Sequence, residues 1–451
     1  MLNLINIKRY LNKSLAIVGV VLLLLVMLNG CKGNGKVDIS EQSGIESSGT
    51  SDFESNPGLD ADKSQNQSQE SDLNSESEGG QVSQPSESPS QSSKSPDPSP
   101  TGPSTPEASP IPTEAVVNTD LIADVGNPNF VPGSLYKGPV IEWREPGESV
   151  SLGAWWWVLR GLVAPYNGMS VDMILDMLIA NNINEIYLDV SKMIPLDEEI
   201  SQGGLSQDDI DAGLVSERYV RGFIKKCSKY GIRVEALTGA ASDGVLRWID
   251  PQYKYYQIKG FVEKIADFNY DSAADEKFYG IHLDVEPHTM KDWEKQRAKY
   301  SQWMADFTVK AREESDKYGL KLAYDVYAWF TEKDMVTGPN GQTMNIIDLM
   351  TSQCHALGVM SYYNTAVGQY DRATNTELAY AIKNNCKLIA GTETIKISPS
   401  TISYYSVMPS GKNKLIREQK ALRGMFDESG YSNFGGAIHH VYSLYELLTK
   451  E

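Results

Sequence analysis

The chain has 451 residues, 41% of them apolar and 22% charged, and a formal net charge of −18. That is enough apolar material for a large core, and the acidity excludes nucleic acid as a partner because a polyanion would be repelled. The 4 cysteines show no CxxC or Cys/His spacing of the kind that holds a metal.

The first thirty residues carry Lys8, Arg9 and Lys13, then the apolar run "LAIVGVVLLLLVML", then Asn29, Gly30 and Cys31, the layout of a secretory signal peptide. The run falls short of the roughly twenty residues that span a bilayer. Its ending "LNGC" resembles a lipobox, which implies cleavage before Cys31 and lipid modification of that residue. The expected location is extracytoplasmic, anchored by the lipid to the outer face of the cell membrane.

Residues 31–117 are rich in Ser, Pro, Gln, Glu and Gly, as in "SQPSESPSQSSKSPDPSP", and poor in aromatic residues. Between residues 34 and 116, fifteen acids stand against three lysines, so most of the net charge sits here. Such a segment cannot bury enough apolar surface to offset its ordering entropy, and a disordered linker is expected.

Residues 118–451 alternate short apolar runs with longer amphipathic ones. The strand candidates are 152–159, 183–190, 232–239, 279–286, 320–329, 356–363, 386–393 and 434–442. Between them lie helical patterns such as "VDMILDMLIANN", "ERYVRGFIKKCSKYG" and "TELAYAIKNN", several closing at Gly or Asn. Eight strand-helix units predict an α/β fold, a (β/α)8 TIM barrel. A doubly wound sheet is the other option, yet no glycine-rich phosphate loop follows the first strand.

In such a barrel the chemistry sits at the C-terminal ends of the strands. The fourth candidate, "YGIHLDVE", carries His282, Asp284 and Glu286 on one face and Ile281, Leu283 and Val285 on the other. The aliphatic face belongs against the helices, so the polar face points into the barrel. Adjacent buried carboxyls resist double ionisation, which suits one acid and one anion near neutral pH. A salt-bridged brace within the barrel is the alternative use of the same three groups.

These residues resemble family 18 glycoside hydrolases, the chitinase-like barrels, which carry DGxDxDxE on strand four, MxYD on strand six and GGxMxW on strand eight. The chain has "YGIHLDVE", "MSYY" and "GGAIHH" on the corresponding candidates. Tyr279 and His282 stand for the first two aspartates, Tyr363 for the aspartate after Tyr362, and His440 for the tryptophan that floors the sugar site. The resemblance implies a glycosidase acting on a polysaccharide or oligosaccharide, with no cofactor and no metal. It implies Glu286 as the general acid, Asp284 as the anion that orients a substrate acetamido group, and Tyr362 as the hydroxyl that holds that group.

Further polar or aromatic residues at strand ends are candidates for substrate contact: Asp189 with Tyr187, Tyr327 with Trp329, Tyr363 with Asn364, and His282, His440 and Glu393. Glu393 is also a candidate second carboxylate, should an acetamido route be closed. Trp155, Trp156 and Trp157 offer flat rings for a pyranose face, although alternation lets only part of the triplet face inward.

Two other classes stay open. His282, His288, His439 and His440 with the two acids would form the nitrogen and oxygen site of a metal-dependent hydrolase. A non-catalytic carbohydrate-binding surface lipoprotein would keep the groove without turnover. Of the cysteines after Cys31, Cys354 and Cys386 each precede a strand and are a candidate disulfide, with buried free thiols as the alternative.

Overall fold

The computed structural model describes residues 122–328, 330–397 and 404–450. The leader, the whole linker with Cys31, and Trp329 therefore lie outside the described residues.

Eight strands close into a parallel barrel: β1 (Ser151–Trp156), β2 (Glu185–Asp189), β3 (Arg233–Ala240), β4 (Gly280–Val285), β5 (Lys321–Tyr327), β6 (Ala356–Met360), β7 (Lys387–Thr392) and β8 (Phe434–Ile438). They neighbour one another in chain order, and β8 pairs with β1 to close the ring. Each strand is followed by helix: α1 (Val171–Ala180), α2 (Glu217–Ser228), α3 (Tyr256–Tyr270), α4 (Trp293–Asp316), α5 (Ile346–Gln353), α6 (Ala366–Thr374) with α7 (Glu377–Asn384), α8 (Lys412–Ser429) and α9 (Val441–Thr449). Two short ribbons extend the loops, Met193–Ile194 with Val215–Ser216 after β2 and Met335–Thr337 with Thr343–Asn345 after β5.

Local chemistry sets the helix ends. The Ser170 side chain accepts from the Met173 N–H at the start of α1, satisfying a donor that the first turn leaves free. Asn385 closes α7 in the left-handed conformation that asparagine tolerates. The outward face of the strands packs with the helices into one continuous apolar core.

The interior of the barrel is a separate, smaller cluster of Trp155, Tyr187, Leu237, Ala323, Ala356, Ile389 and Ala437. Pairing register gives the rest of the inward set: Trp155 sits beside Tyr187, Tyr187 beside Glu235, and Leu237 beside His282. His282 lies beside Ala323, and Asp325 beside Gly358. A Cβ on Gly358 would come within 1.9 Å of Asp325 Oδ1, so only glycine leaves room for that carboxylate.

Cys227, Cys354 and Cys386 are all free and buried, so the candidate disulfide is not formed. Burial raises all three thiols, Cys386 to about 12, which makes them inert.

Candidate active site

The inward polar residues form a column that changes character from bottom to top. At the N-terminal end Glu185 takes Lys387 Nζ at 2.6 Å, an ion pair with Arg233, and the Tyr187 hydroxyl at 3.0 Å. One layer higher, Glu235 receives His355 Nε2 at 3.1 Å and His282 Nδ1 at 3.0 Å. The far nitrogen of His282 is 2.9 Å from Asp325 Oδ2, ion-pair distance without the alignment of a hydrogen bond. Asp325 Oδ2 also accepts from Trp155 Nε1 at 2.9 Å.

Burial alone would strip the proton from His282, but the Asp325 charge and the contacts with Asp325 and Glu235 outweigh it and push the imidazolium up to about 10. Burial likewise opposes charge on Glu235, yet His355 and His282 hold its carboxyl well below the usual range. The lower column is thus a charged brace from β3 through β4 to β5, in which Glu235, His282 Nδ1 and Asp325 Oδ2 are hydrogen-bonded while His282 Nε2 and Asp325 Oδ1 rely on ion pairing and burial.

Above it, the carboxyls of β4 are uncommitted. Asp284 Oδ1 is buried with no partner among the described residues. Burial, then the charges of Glu286 and Asp325, drive this carboxyl well above the usual range. Glu286 ends the strand, where its N–H donates to Ala240 O at 2.8 Å and Pro287 begins a tight turn. Burial raises the Glu286 carboxyl, His439 lowers it and Asp325 raises it, for a balance of about 7.

The opposite rim comes from β6 to β8. His439 Nδ1 pairs with Glu393 Oε2 at 2.8 Å, and Glu393 Oε1 accepts the Ile395 N–H at 2.8 Å. The His439 ring lies 5.2 Å from Tyr362 and 5.8 Å from each of Trp155 and Trp157. Burial would depress His439, but Glu393 and then Glu286 and Asp325 raise it. Burial would raise Glu393, but His439 and the Ile395 and Thr394 N–H groups bring its carboxyl below the usual range. Beside Asp325, a small recess is lined by Val285, Pro287, His288, Tyr327 and Met360.

Several sequence expectations need correction. His282 and Tyr187 are 0% exposed and sit in the brace, where no substrate reaches them. His440 does not stand at the floor of the site: Ala437 faces the interior, so alternation turns His439 inward and His440 outward, beside Tyr442 at 6.0 Å. The four histidines do not converge. His288 stacks on Tyr327 at 4.1 Å, and among the described residues no group of His, Cys, Asp and Glu is placed to hold a metal ion.

Tyr362 does join the two acids at the mouth, with its hydroxyl driven well above the usual range by burial and then by Glu393, Asp284, Asp325 and Glu286. Tyr363 packs on Tyr404 at 5.5 Å, and the Asn364 N–H donates to Tyr404 O at 2.8 Å, so both buttress a neighbouring loop. Asp189 caps its own turn, accepting from the Ser191 N–H at 2.9 Å.

Asp325 is a site residue that sequence reasoning missed, and His439 entered it only as one of four candidate metal ligands. Asp325 lies two residues before Tyr327 on the same strand face, a signal that alternation carries. His439 needed the parity of β8, which its paired glycines leave open.

No protein-family model matches the chain, and no curated protein matches it. Among solved structures it is similar to the spore cortex-lytic enzyme SleL of Bacillus megaterium, at 12% identity and a TM-score of 0.40 over 68% of this chain and 76% of that one. It is also similar to a GH18 chitinase from Pseudoalteromonas aurantia, at 14% identity and a TM-score of 0.38 over 65% of this chain and 94% of that one. A β-N-acetylhexosaminidase from Bacteroides fragilis follows at 11% identity and a TM-score of 0.35, over 64% of this chain and 61% of that one.

Proposed function

We propose that the chain is a glycoside hydrolase that cleaves a glycosidic bond in a cell-envelope or environmental polysaccharide, with Glu286 as general acid and Asp284 as its partner. One observation carries the reading: Asp284 and Glu286 share the inward face of β4 at the barrel mouth, above a His282 already neutralised by Glu235 and Asp325. The brace absorbs the lower group and leaves the upper two for chemistry.

A carboxyl balanced near 7 still holds a proton at neutral pH and gives it up readily, which suits donation to a departing glycosidic oxygen. As the C–O bond breaks, that oxygen takes the Glu286 proton and positive charge develops at the sugar's anomeric carbon; water then adds to that carbon and returns a proton to the Glu286 carboxylate. Asp284, with a buried oxygen lacking a partner, is suited to accept a hydrogen bond from a substrate N–H such as that of an acetamido group. Tyr362 is placed to hold the other end of the same group. The half-buried Trp157 and the His439 ring add flat surface at the opposite rim, while Trp155 lies buried beneath them.

The test is incubation with chitin-like, peptidoglycan and plain glucan oligosaccharides, with products read by mass spectrometry. Cleavage of one class, abolished in Glu286→Gln, is expected. No cleavage of any would overturn the reading, and glycan binding indifferent to that substitution would point to a non-catalytic binding protein. The lipid anchor at Cys31 is proposed on the sequence alone. Its check is incorporation of labelled fatty acid, lost in Cys31→Ala.

A further inference from the structure

We infer that Glu393 and His439 form a positioning pair, in which Glu393 holds the His439 imidazole in one orientation across the barrel mouth and the charge of that ring tunes the acid at Glu286. The inference rests on the proposed role of Glu286 and adds residues outside the strand-four motif.

Topology supplies the geometry. In a ring of eight strands, β4 and β8 are diametrically opposed, so Glu286 at the end of β4 and His439 just past β8 lie on opposite sides of the opening, close enough for each to feel the other's charge. His439 is fixed from several directions. Its N–H donates to Thr392 O at 2.9 Å, its Nδ1 meets Glu393 Oε2 at 2.8 Å, and its ring is flanked by Trp155, Trp157 and Tyr362. Glu393 is fixed in turn, 4% exposed and bonded to the Ile395 N–H, with its carbonyl accepting the Val407 N–H at 3.1 Å.

A carboxylate on Nδ1 selects one ring orientation and favours the charged ring, leaving Nε2 directed away from the carboxylate. The His439 side chain is 21% exposed, so that nitrogen edge reaches the opening while Glu393 stays behind it. Both oxygens of Glu393 are engaged, so this carboxylate acts through His439 and has no free face for a sugar.

The other ionisable groups around Glu286 and His439 are Asp284 on β4, Tyr324 and Asp325 on β5, Tyr362 after β6, Glu393 after β7 and His440. Of these, Asp325 opposes ionisation of Glu286, while the Glu286 charge in turn raises Asp284. His440 is pushed by burial and by His439 down to about 4, so it is neutral. His282 is charged but lies a layer lower, committed to Glu235 and Asp325. His439 is thus the cation that lowers Glu286 toward neutral pH.

The experiment follows the Glu286 carboxyl by NMR titration in the full chain carrying 13C-labelled glutamate, with Glu286→Gln identifying the resonance. Removing the cation in His439→Gln is expected to raise the Glu286 midpoint by roughly half a pH unit or more. Glu393→Gln should raise it in the same sense, because a histidine without its carboxylate loses its proton at lower pH. In the active enzyme the alkaline limb of kcat/KM should move with the midpoint, a change that loss of packing alone would not produce. A Glu286 midpoint unmoved in both variants overturns the inference, and Glu393→Gln suffices should His439→Gln fail to fold. Should the wild type cleave no glycan while the midpoint still shifts, the glycosidase reading fails and the charge pair stands.

Discussion

At the scale of single residues, β4 asks why His282, Asp284 and Glu286 follow one another on one strand face, and the answer divides them. His282 is bracketed by Glu235 and Asp325 and serves the fold. Glu286 accepts no cation directly, and its acidity reflects burial against the charges of His439 and Asp325. Glu286→Gln keeps the shape and removes the proton, so kcat is expected to fall by about 10² to 10⁴ with little change in KM. Steady-state kinetics on the cleaved glycan, with binding measured separately, checks this. The same carboxyl fixes a sign for pH. A general acid works only while protonated, so kcat/KM should decline as pH rises through about 7. A rate that instead rose through that range would require Glu286 to act as an anion.

At the scale of elements, the brace ties three consecutive strands through ionised side chains: Glu235 on β3, His282 on β4 and Asp325 on β5, with Trp155 of β1 donating across the interior. Breaking one member of such a network strands buried charge and costs about 3–5 kcal/mol. The pH sign follows from His282, whose imidazolium rises from its usual 6.5 to about 10 on folding. A group raised on folding contributes its full stability below its unfolded value and loses it as pH climbs through the folded one. Thermal stability should therefore decline between roughly pH 7 and 10 in the wild type. His282→Gln should start lower and lack most of that decline. Parallel melting curves across that range decide the matter, and identical pH slopes would show that His282 is not the titrating group. Gly358 belongs to the same element-scale design, since any side chain there would displace the Asp325 carboxylate.

At the scale of the whole molecule, alternation of apolar and amphipathic runs made the ring of eight strands legible, with boundaries close to those found: candidate 279–286 is Gly280–Val285, and 232–239 is Arg233–Ala240. Period-two alternation on β4 likewise located the two acids. Partnerships across strands were not legible, because Glu235, His282 and Asp325 meet only once the register of β3, β4 and β5 is set. Nor was the segment before β1, which lacks periodicity yet packs tightly. Ile141 and Trp143 are 0% and 1% exposed, and Trp143 Nε1 donates to Ser151 O at 2.9 Å while its ring meets Phe434 of β8 edge-on. Asp176 of α1 accepts the Leu135 and Tyr136 N–H groups at 2.6 and 2.7 Å, and the Ile141 N–H donates to Asn181 Oδ1 at 2.6 Å. The segment thus clasps the seam where β8 closes onto β1. Burial of each large apolar side chain is worth about 1.5–3 kcal/mol, so losing the clasp removes a large share of a typical net stability of about 5–15 kcal/mol. A chain beginning at residue 118 is expected to melt like the full-length protein, whereas one beginning at residue 150 should melt far lower or fail to fold. Equal melting of the two would mean that the barrel closes without its clasp.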